Sequence, residues 1–393
     1  MVKKMNQKKT ELILEGNAQL LIYRGEKISK ELPVFYNPVM KHNRDITIAL
    51  LSVISNQNMR IADILAASGV RGIRMFQELP QKKIETLFLN DFDAESVSLM
   101  KKNLKLNKLS EQIKTKKIVL MQKDANLFML EENGFDFIDI DPFGCPNVFL
   151  DSAIKRIARN GILAVTATDT SALAGTFPLV CLRKYWANPM HNELMHEIAV
   201  RILVRKVQLV AAQYEKAMIP LYSYATQHYV RVFFQSKKGK KDVDALLKQH
   251  LFFLYCNKCM KQVVRSGNIM LCCGQNMISA GPIYGGALWD QNLAKRIYTF
   301  AAQNKFMNQD KELLKLTRLL AEESGINSVG FFDLHTFVEK YGYSVIPKFS
   351  LVFELLKKKQ IIASRTHFNE YSIKAECDIV QMGEIVKSLF QKE

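Results

Sequence analysis

Asp139-Ile140-Asp141-Pro142-Phe143-Gly144 sets two carboxylates at the end of an apolar run, directly before a proline, a phenyl ring and a glycine. Those residue types suit one difficult reaction. An amine attached to an aromatic base has its lone pair delocalised into the ring. Alkylating it requires acceptors for both N–H hydrogens, so that charge can build on nitrogen, and a grip on the face of the base. The Asp141 carboxylate, the backbone carbonyl of the conformationally fixed Pro142 and the Phe143 ring supply those parts within three residues. The pattern points to methyl transfer onto the exocyclic amine of a nucleobase. Asp139 is read as structural, and Asp169, at the next strand end, as either a pocket residue or a turn cap.

A methyl donor needs its own pocket. Ile61 to Gly72 reads as a strand followed by a small-residue loop, Ala66-Ala67-Ser68-Gly69, that opens a helix. Gly69 and Gly72 permit tight turning and close approach of a ligand to backbone. The loop is not GxGxxG, and it offers too few free N–H groups to cradle a phosphate. About twenty residues on, Asp91 ends a second strand, where an acid typically receives ribose hydroxyls. Asp124, followed by Ala125, ends a third strand and could accept the amine of an adenine. Any one of these acids could equally cap a helix or form a turn. Their recurrence at successive strand ends, where open α/β sheets bind ligands, fits S-adenosyl-L-methionine better than a dinucleotide.

The elements that must position these residues alternate. Strands are expected over Arg60–Ala67, Lys83–Asn90, Lys117–Lys123, Phe135–Asp141 and Gly161–Thr168, with helices between, which implies a mostly parallel sheet covered on both faces. Before them, short strands fill the first ~45 residues and close with Val34–Pro38, and a helix runs from about Asp45 to Ser55. After them come a long amphipathic helix over Asn192–Tyr214 and strands over Ile219–Tyr224 and Tyr229–Gln235. Lys237-Lys238-Gly239-Lys240-Lys241 reads as a linker, beyond which four clustered cysteines and then mainly helices follow.

The 393 residues carry a net charge of +17, and a soluble chain that basic usually meets a polyanion, most often nucleic acid. A solvated Lys-rich surface is the plainer alternative. Basic and aromatic residues mingle at Lys295-Arg296, Lys357-Lys358-Lys359 and Arg365 beside His367-Phe368. The polar start, Met1 to Asn6, lacks a secretory pattern, and the apolar stretch from Gly161 to Leu182 is broken by Asp169 and Pro178, so no membrane span is expected. Seven unevenly spaced cysteines argue for a reducing compartment, the cytoplasm. Cys256-Asn257-Lys258-Cys259 and, after twelve intervening residues, Cys272-Cys273 could form a tetrahedral zinc site. The second pair is adjacent rather than CxxC, so free thiols are the other reading.

On these residues the chain resembles the tRNA (guanine(26)-N2)-dimethyltransferase family. The resemblance is carried by Val34–Pro38 with Asn43-Arg44-Asp45, Ala67 to Arg74, Asp139 to Gly144, Thr168-Asp169-Thr170, Gly175-Thr176, Leu182 to Tyr185, His196-Glu197 with Arg201, His228 to Arg231, and Ser364 to Phe368. It implies a Rossmann-like α/β methyltransferase domain with an N-terminal strand extension over residues 1–240. A mixed, mainly helical tRNA-binding domain over 241–393 would follow, with a candidate zinc-knuckle region at 252–290. It implies that Arg44 and Arg71 hold the cofactor with Asp91, Asp124 and Ala125, that Asp141 is the catalytic carboxylate, and that Phe35 and Phe143 sandwich the flipped guanine. The implied partner is tRNA, with no obligate protein partner. The rival readings are a methyltransferase for another nucleobase amine, in RNA or DNA, and a tRNA-binding chaperone with a dead pocket.

Overall fold

The structure, a computed structural model, describes residues 10–23, 32–226 and 228–390. A hairpin of β1 (Thr10–Glu15) and β2 (Ala18–Tyr23) leads to α1 (Lys41–Val53). The alternating part follows: β3 (Met59–Asp63), α2 (Val70–Glu78), β4 (Ile84–Asn90), α3 (Ala94–Leu106), α4 (Ser110–Lys114), β5 (Ile118–Met121), α5 (Ala125–Glu131), β6 (Phe135–Ile140), α6 (Asn147–Arg156) and β7 (Ile157–Ala167). Two short helices, α7 (Thr170–Leu173) and α8 (Pro178–Tyr185), precede the long α9 (Met195–Ala212) and the strands β8 (Lys216–Ala225) and β9 (Val230–Lys238).

Seven of these strands make one sheet in the order β5-β4-β3-β6-β7-β9-β8, parallel from β5 to β7 and antiparallel at β9 and β8. The chain therefore folds as an α/β sheet with its last two strands reversed. Central strands are buried on both faces, and β6 is buried at all but one of its positions, Asp139 included. Parallel strands all end on one edge, and the strand-end acids are gathered there.

The remaining elements are α10 (Lys240–Leu247), β10 (His250–Tyr255), β11 (Gln262–Arg265), β12 (Leu271–Cys272), β13 (Gln275–Asn276), β14 (Ile278–Tyr284), α11 (Gln291–Gln303), α12 (Lys311–Glu323), β15 (Phe332–Asp333), α13 (Leu334–Tyr341), α14 (Phe349–Lys358), β16 (Ala363–Arg365), β17 (Ser372–Ala375) and α15 (Ile379–Phe390). They are fastened to the sheet by buried charge. Glu197 of α9 takes the Lys374 ammonium at 2.7 Å and the Gly330 N–H at 3.0 Å. Arg201, one turn on, donates to the carbonyls of Tyr284 and Gly286. One hydrophobic core runs through both parts.

Four boundaries differ from the sequence expectation. Val34–Pro38 is not a strand: the Asn37 side chain accepts from the Val39 N–H and Pro38 opens a short 3-10 turn, so α1 starts at Lys41 rather than Asp45. β3 stops at Asp63 because Ile64 to Ser68 already turn toward α2. Thr170–Leu173 and Pro178–Tyr185 form two short helices where the sequence expectation placed no element. Lys237–Lys241 is no linker, since it ends β9 and begins α10.

Candidate active site

At the carboxyl edge of the parallel strands lies a cavity of about 580 Å³. Its walls bring together Phe35, Arg44, Arg71, Asp91, Asp141, Pro142 and Phe143, all singled out in the sequence. Gly69, Asp124 and Ala125 are not in the walls. Gly69 sits just behind, in a left-handed conformation (φ 79°) that starts α2. Asp124 is occupied as a helix N-cap, accepting from the N–H groups of Asn126 and Leu127 at 2.9 and 3.0 Å, and Ala125 is buried beneath it.

The acids differ in their surroundings. Asp91 accepts the Ala67 N–H at 2.8 Å and the Asp93 N–H at 3.0 Å, which fixes its carboxylate at the loop. Burial raises its pKa, against those two backbone donors. Asp141 pairs with the Arg71 guanidinium, which also donates to Asn43 Oδ1 at 2.8 Å and Thr47 Oγ1 at 3.2 Å. Asp139 is fully buried and held by Arg231 at 2.6 Å. Burial pushes its carboxyl up, but Arg231 and Arg71 outweigh that and bring it below the usual range. Asp139 thus supports Arg71 from behind. Asp169 does not reach the cavity: Tyr185 and Lys184 bind it at 2.6 and 3.1 Å.

Arg44 is gripped by Glu15 of the hairpin, whose carboxylate also receives Arg74 at 2.8 Å and the Tyr36 hydroxyl at 2.8 Å. Burial pushes the Glu15 carboxyl up, yet Arg44 and Arg74 overcome this and hold it at about 2. The hairpin is pinned in turn by Asn103, which exchanges hydrogen bonds with the Leu21 backbone and reaches the Ser68 carbonyl at 2.9 Å.

The aromatic pair departs from expectation. Phe35 and Phe143 touch edge to face, centroids 4.3 Å apart and planes at 79°, so no slot for a base lies between them here. Phe143 is half exposed on a loop.

Sequence reasoning missed Asp63, Ser68 and His228, which also line the cavity. Asp63 is buried, and burial, against Arg71 and assisted by Asp139, Asp141 and Asp91, pushes its carboxyl up to about 7. Its signal was available: it is an acid at a strand end, hidden by drawing β3 four residues too long. The buried Ser68 hydroxyl has no partner among the described residues, and buried polar atoms ordinarily have one. A polar ligand with hydroxyls and a cationic centre suits a wall of Asp63, Asp91, Asp141 and Ser68.

The cysteines form a separate cluster. The sulfurs of Cys256, Cys259, Cys272 and Cys273 all lie within 4.8 Å of one another. Cys259–Cys272 and Cys272–Cys273 are 3.5 and 3.8 Å apart. A tetrahedral zinc with Zn–S near 2.3 Å requires S–S edges of about 3.8 Å. The adjacent pair reaches this geometry because Cys273 takes a left-handed conformation (φ 52°) before Gly274.

Comparison with known proteins shows the family. The family model described as N2,N2-dimethylguanosine tRNA methyltransferase matches residues 7–387. The tRNA (guanine(26)-N(2))-dimethyltransferase of Methanobrevibacter smithii is 36% identical over 98% of this chain and 99% of its own. The tRNA (guanine(26)-N(2)/guanine(27)-N(2))-dimethyltransferase of Aquifex aeolicus is 35% identical over 91% of each chain. The solved structure of Trm1 from Pyrococcus horikoshii with S-adenosyl-L-methionine superposes with a TM-score of 0.84 at 33% identity, over 96% of this chain and 99% of that one.

Proposed function

From the premise that the chain belongs to the N2,N2-dimethylguanosine tRNA methyltransferase family, we propose that it methylates the exocyclic N2 amine of guanosine 26 in tRNA, once or twice, using S-adenosyl-L-methionine. The observation that carries the reading is the cavity wall in which Asp141, Pro142 and Phe143 stand beside Arg71 and Asp91. When bound, S-adenosyl-L-methionine supplies an electrophilic methyl group. Asp91 would take ribose hydroxyls, Ser68 a further polar group, and Arg71 or Arg44 the methionyl carboxylate, as a bidentate guanidinium suits.

The target base must leave the tRNA stack, which costs a few kcal/mol. Phe35 and Phe143, once parted, would return roughly 1–3 kcal/mol per stacked face. Asp141 accepts one N–H of the amine and the Pro142 carbonyl the other, which fixes the nitrogen for attack. As nitrogen becomes cationic, the Asp141 carboxylate stabilises it and takes the proton. A second methylation requires the monomethylated amine to rotate and rebind.

The cysteine cluster is proposed to hold one zinc ion with a structural role, supported by its sulfur spacing. No helix among the described residues is long and apolar enough to cross a membrane. Seven cysteines, four of them gathered as candidate metal ligands and none in a disulfide among the described residues, support a cytoplasmic enzyme.

The test is methyl transfer to transcripts carrying guanosine or adenosine at position 26, read by nucleoside mass spectrometry. N2-methylated guanosine from the first transcript alone supports the proposal. Product from both would favour the wider target range that the name of the Aquifex relative describes.

A further inference from the structure

Beside the cavity, α8 is apolar on both of its faces. Cys181 and Tyr185 are buried inward, while Leu179, Leu182 and Trp186 stand outward at 68%, 44% and 50% exposure. Leu179, Leu182 and Arg183 share one stripe at helical spacing, and Trp186 caps its carboxyl end. An outward apolar stripe of this kind marks a contact surface.

Trp186 is the unusual member. It ends the helix in a left-handed conformation (φ 57°, ψ 37°), which glycine adopts readily and a bulky side chain adopts at a cost. Such outliers cluster at functional positions. The Lys206 ammonium lies 2.9 Å from the centroid of the indole ring, and Arg205 donates to the Trp186 carbonyl at 3.0 Å. The indole is therefore fixed by a cation yet half open to solvent.

The stripe is continuous with the cavity. Asn147, at the start of α6, donates to the Lys184 carbonyl at 2.6 Å, and the next residue, Val148, is 69% exposed and lines the cavity. Beyond Trp186, Asn188 pairs its backbone with Gly281 of β14. Planar apolar surface interleaved with the exposed Arg183 and Lys184 and the partly exposed Arg205 has the composition that binds exposed bases along a phosphate backbone.

We infer that the outward face of α8, centred on the Trp186 ring, is a stacking platform for a tRNA nucleotide outside the target guanosine, holding the RNA while the target base enters the cavity. The inference rests on the proposed tRNA substrate. Trp186 is a positioning residue, and its effect falls on KM for tRNA rather than on kcat.

The chain has two tryptophans, and the other, Trp289, is buried with its Nε1 hydrogen-bonded to the Ser223 carbonyl at 2.7 Å. The emission difference between wild type and Trp186→Phe therefore reports Trp186. Titration with a tRNA transcript should quench that difference signal. Trp186→Gly suits the backbone conformation and so keeps the fold, which circular dichroism checks. It should raise KM for tRNA roughly five- to hundredfold, the loss of one stacked base, while Trp186→Phe recovers most of it. Methylation that proceeds with unquenched Trp186 emission and an unmoved KM in Trp186→Gly overturns the platform alone and assigns the stripe to a protein partner. Failure of the wild type to bind or methylate any tRNA overturns the proposed function and the platform with it.

Discussion

Around the cavity, the side chains assigned to chemistry are gripped by other side chains; around the four cysteines, the ligands are set by little more than backbone turns. Arg71 has Asp141, Asn43 and Thr47, and Arg44 has Glu15, which itself binds Arg74 and Tyr36. This network is backed by the main core. The cysteine cluster has a small core of its own, in which Leu254, Cys256 and Met277 are the buried residues. A core that small does not hold four thiols together unaided, and a metal is the usual remedy. The cavity is thus preorganised by the folded chain, whereas the cysteine cluster would be tightened by the zinc ion proposed for it.

The largest effect expected on this contrast is at Asp141. Asp141→Asn keeps shape and removes charge, so methyl transfer should fall by about 10²–10³ while cofactor affinity, by calorimetry, stays within a few-fold. Turnover near the wild-type rate would remove Asp141 from the mechanism. Next is Glu15→Gln, which leaves Arg44 buried without its counter-charge. Breaking such a pair costs on the order of 3 kcal/mol, visible in denaturant unfolding. The Glu15 carboxyl is held at about 2 in the fold against an ordinary value of 4.5. Its stabilising contribution is therefore fully present above pH 4.5 and is lost as pH falls toward 2. The gap between variant and wild type should narrow as the solution is acidified through that window; a gap independent of pH would show that the ion pair is not its source.

Smaller and local is the loss of metal. Elemental analysis should find one zinc per chain, and Cys256→Ser should abolish it and lower the melting temperature, while cofactor binding to the cavity changes little. Zinc-free protein with native stability would leave the cluster as free thiols. Smallest is Asp124→Asn. The amide still caps α5, and residue 124 lies outside the cavity wall. Cofactor affinity should fall less than about fivefold, against tenfold or more for Asp91→Asn. An equal loss at both positions would restore Asp124 to the binding site.

The gathering of the strand-end acids and the Asp-Pro-Phe unit at one cavity was legible in the chain because both depend on local sequence and on one rule about parallel sheets. Asp63 was lost to a boundary drawn at Ala67, a typical error where a strand runs into a small-residue turn. The Glu15–Arg44 clamp was not legible, since the residues lie 29 positions apart and only tertiary packing joins them. Nor was the contact of Phe35 with Phe143, because ring orientation is set by side-chain packing across loops rather than by periodicity. The Lys237–Lys241 run misled for the opposite reason: its charge suggested a break, but alternation in β9 and the helix that follows absorb it.

On the proposed function, the site acts on the exocyclic amine of one base. A transcript with inosine at position 26 lacks that amine and keeps the rest of the guanine ring. It should compete for the enzyme about as well as the guanosine transcript and accept no methyl group at position 26. Methylation of the inosine itself would contradict the account, because Asp141 and the Pro142 carbonyl would then be serving some other atom.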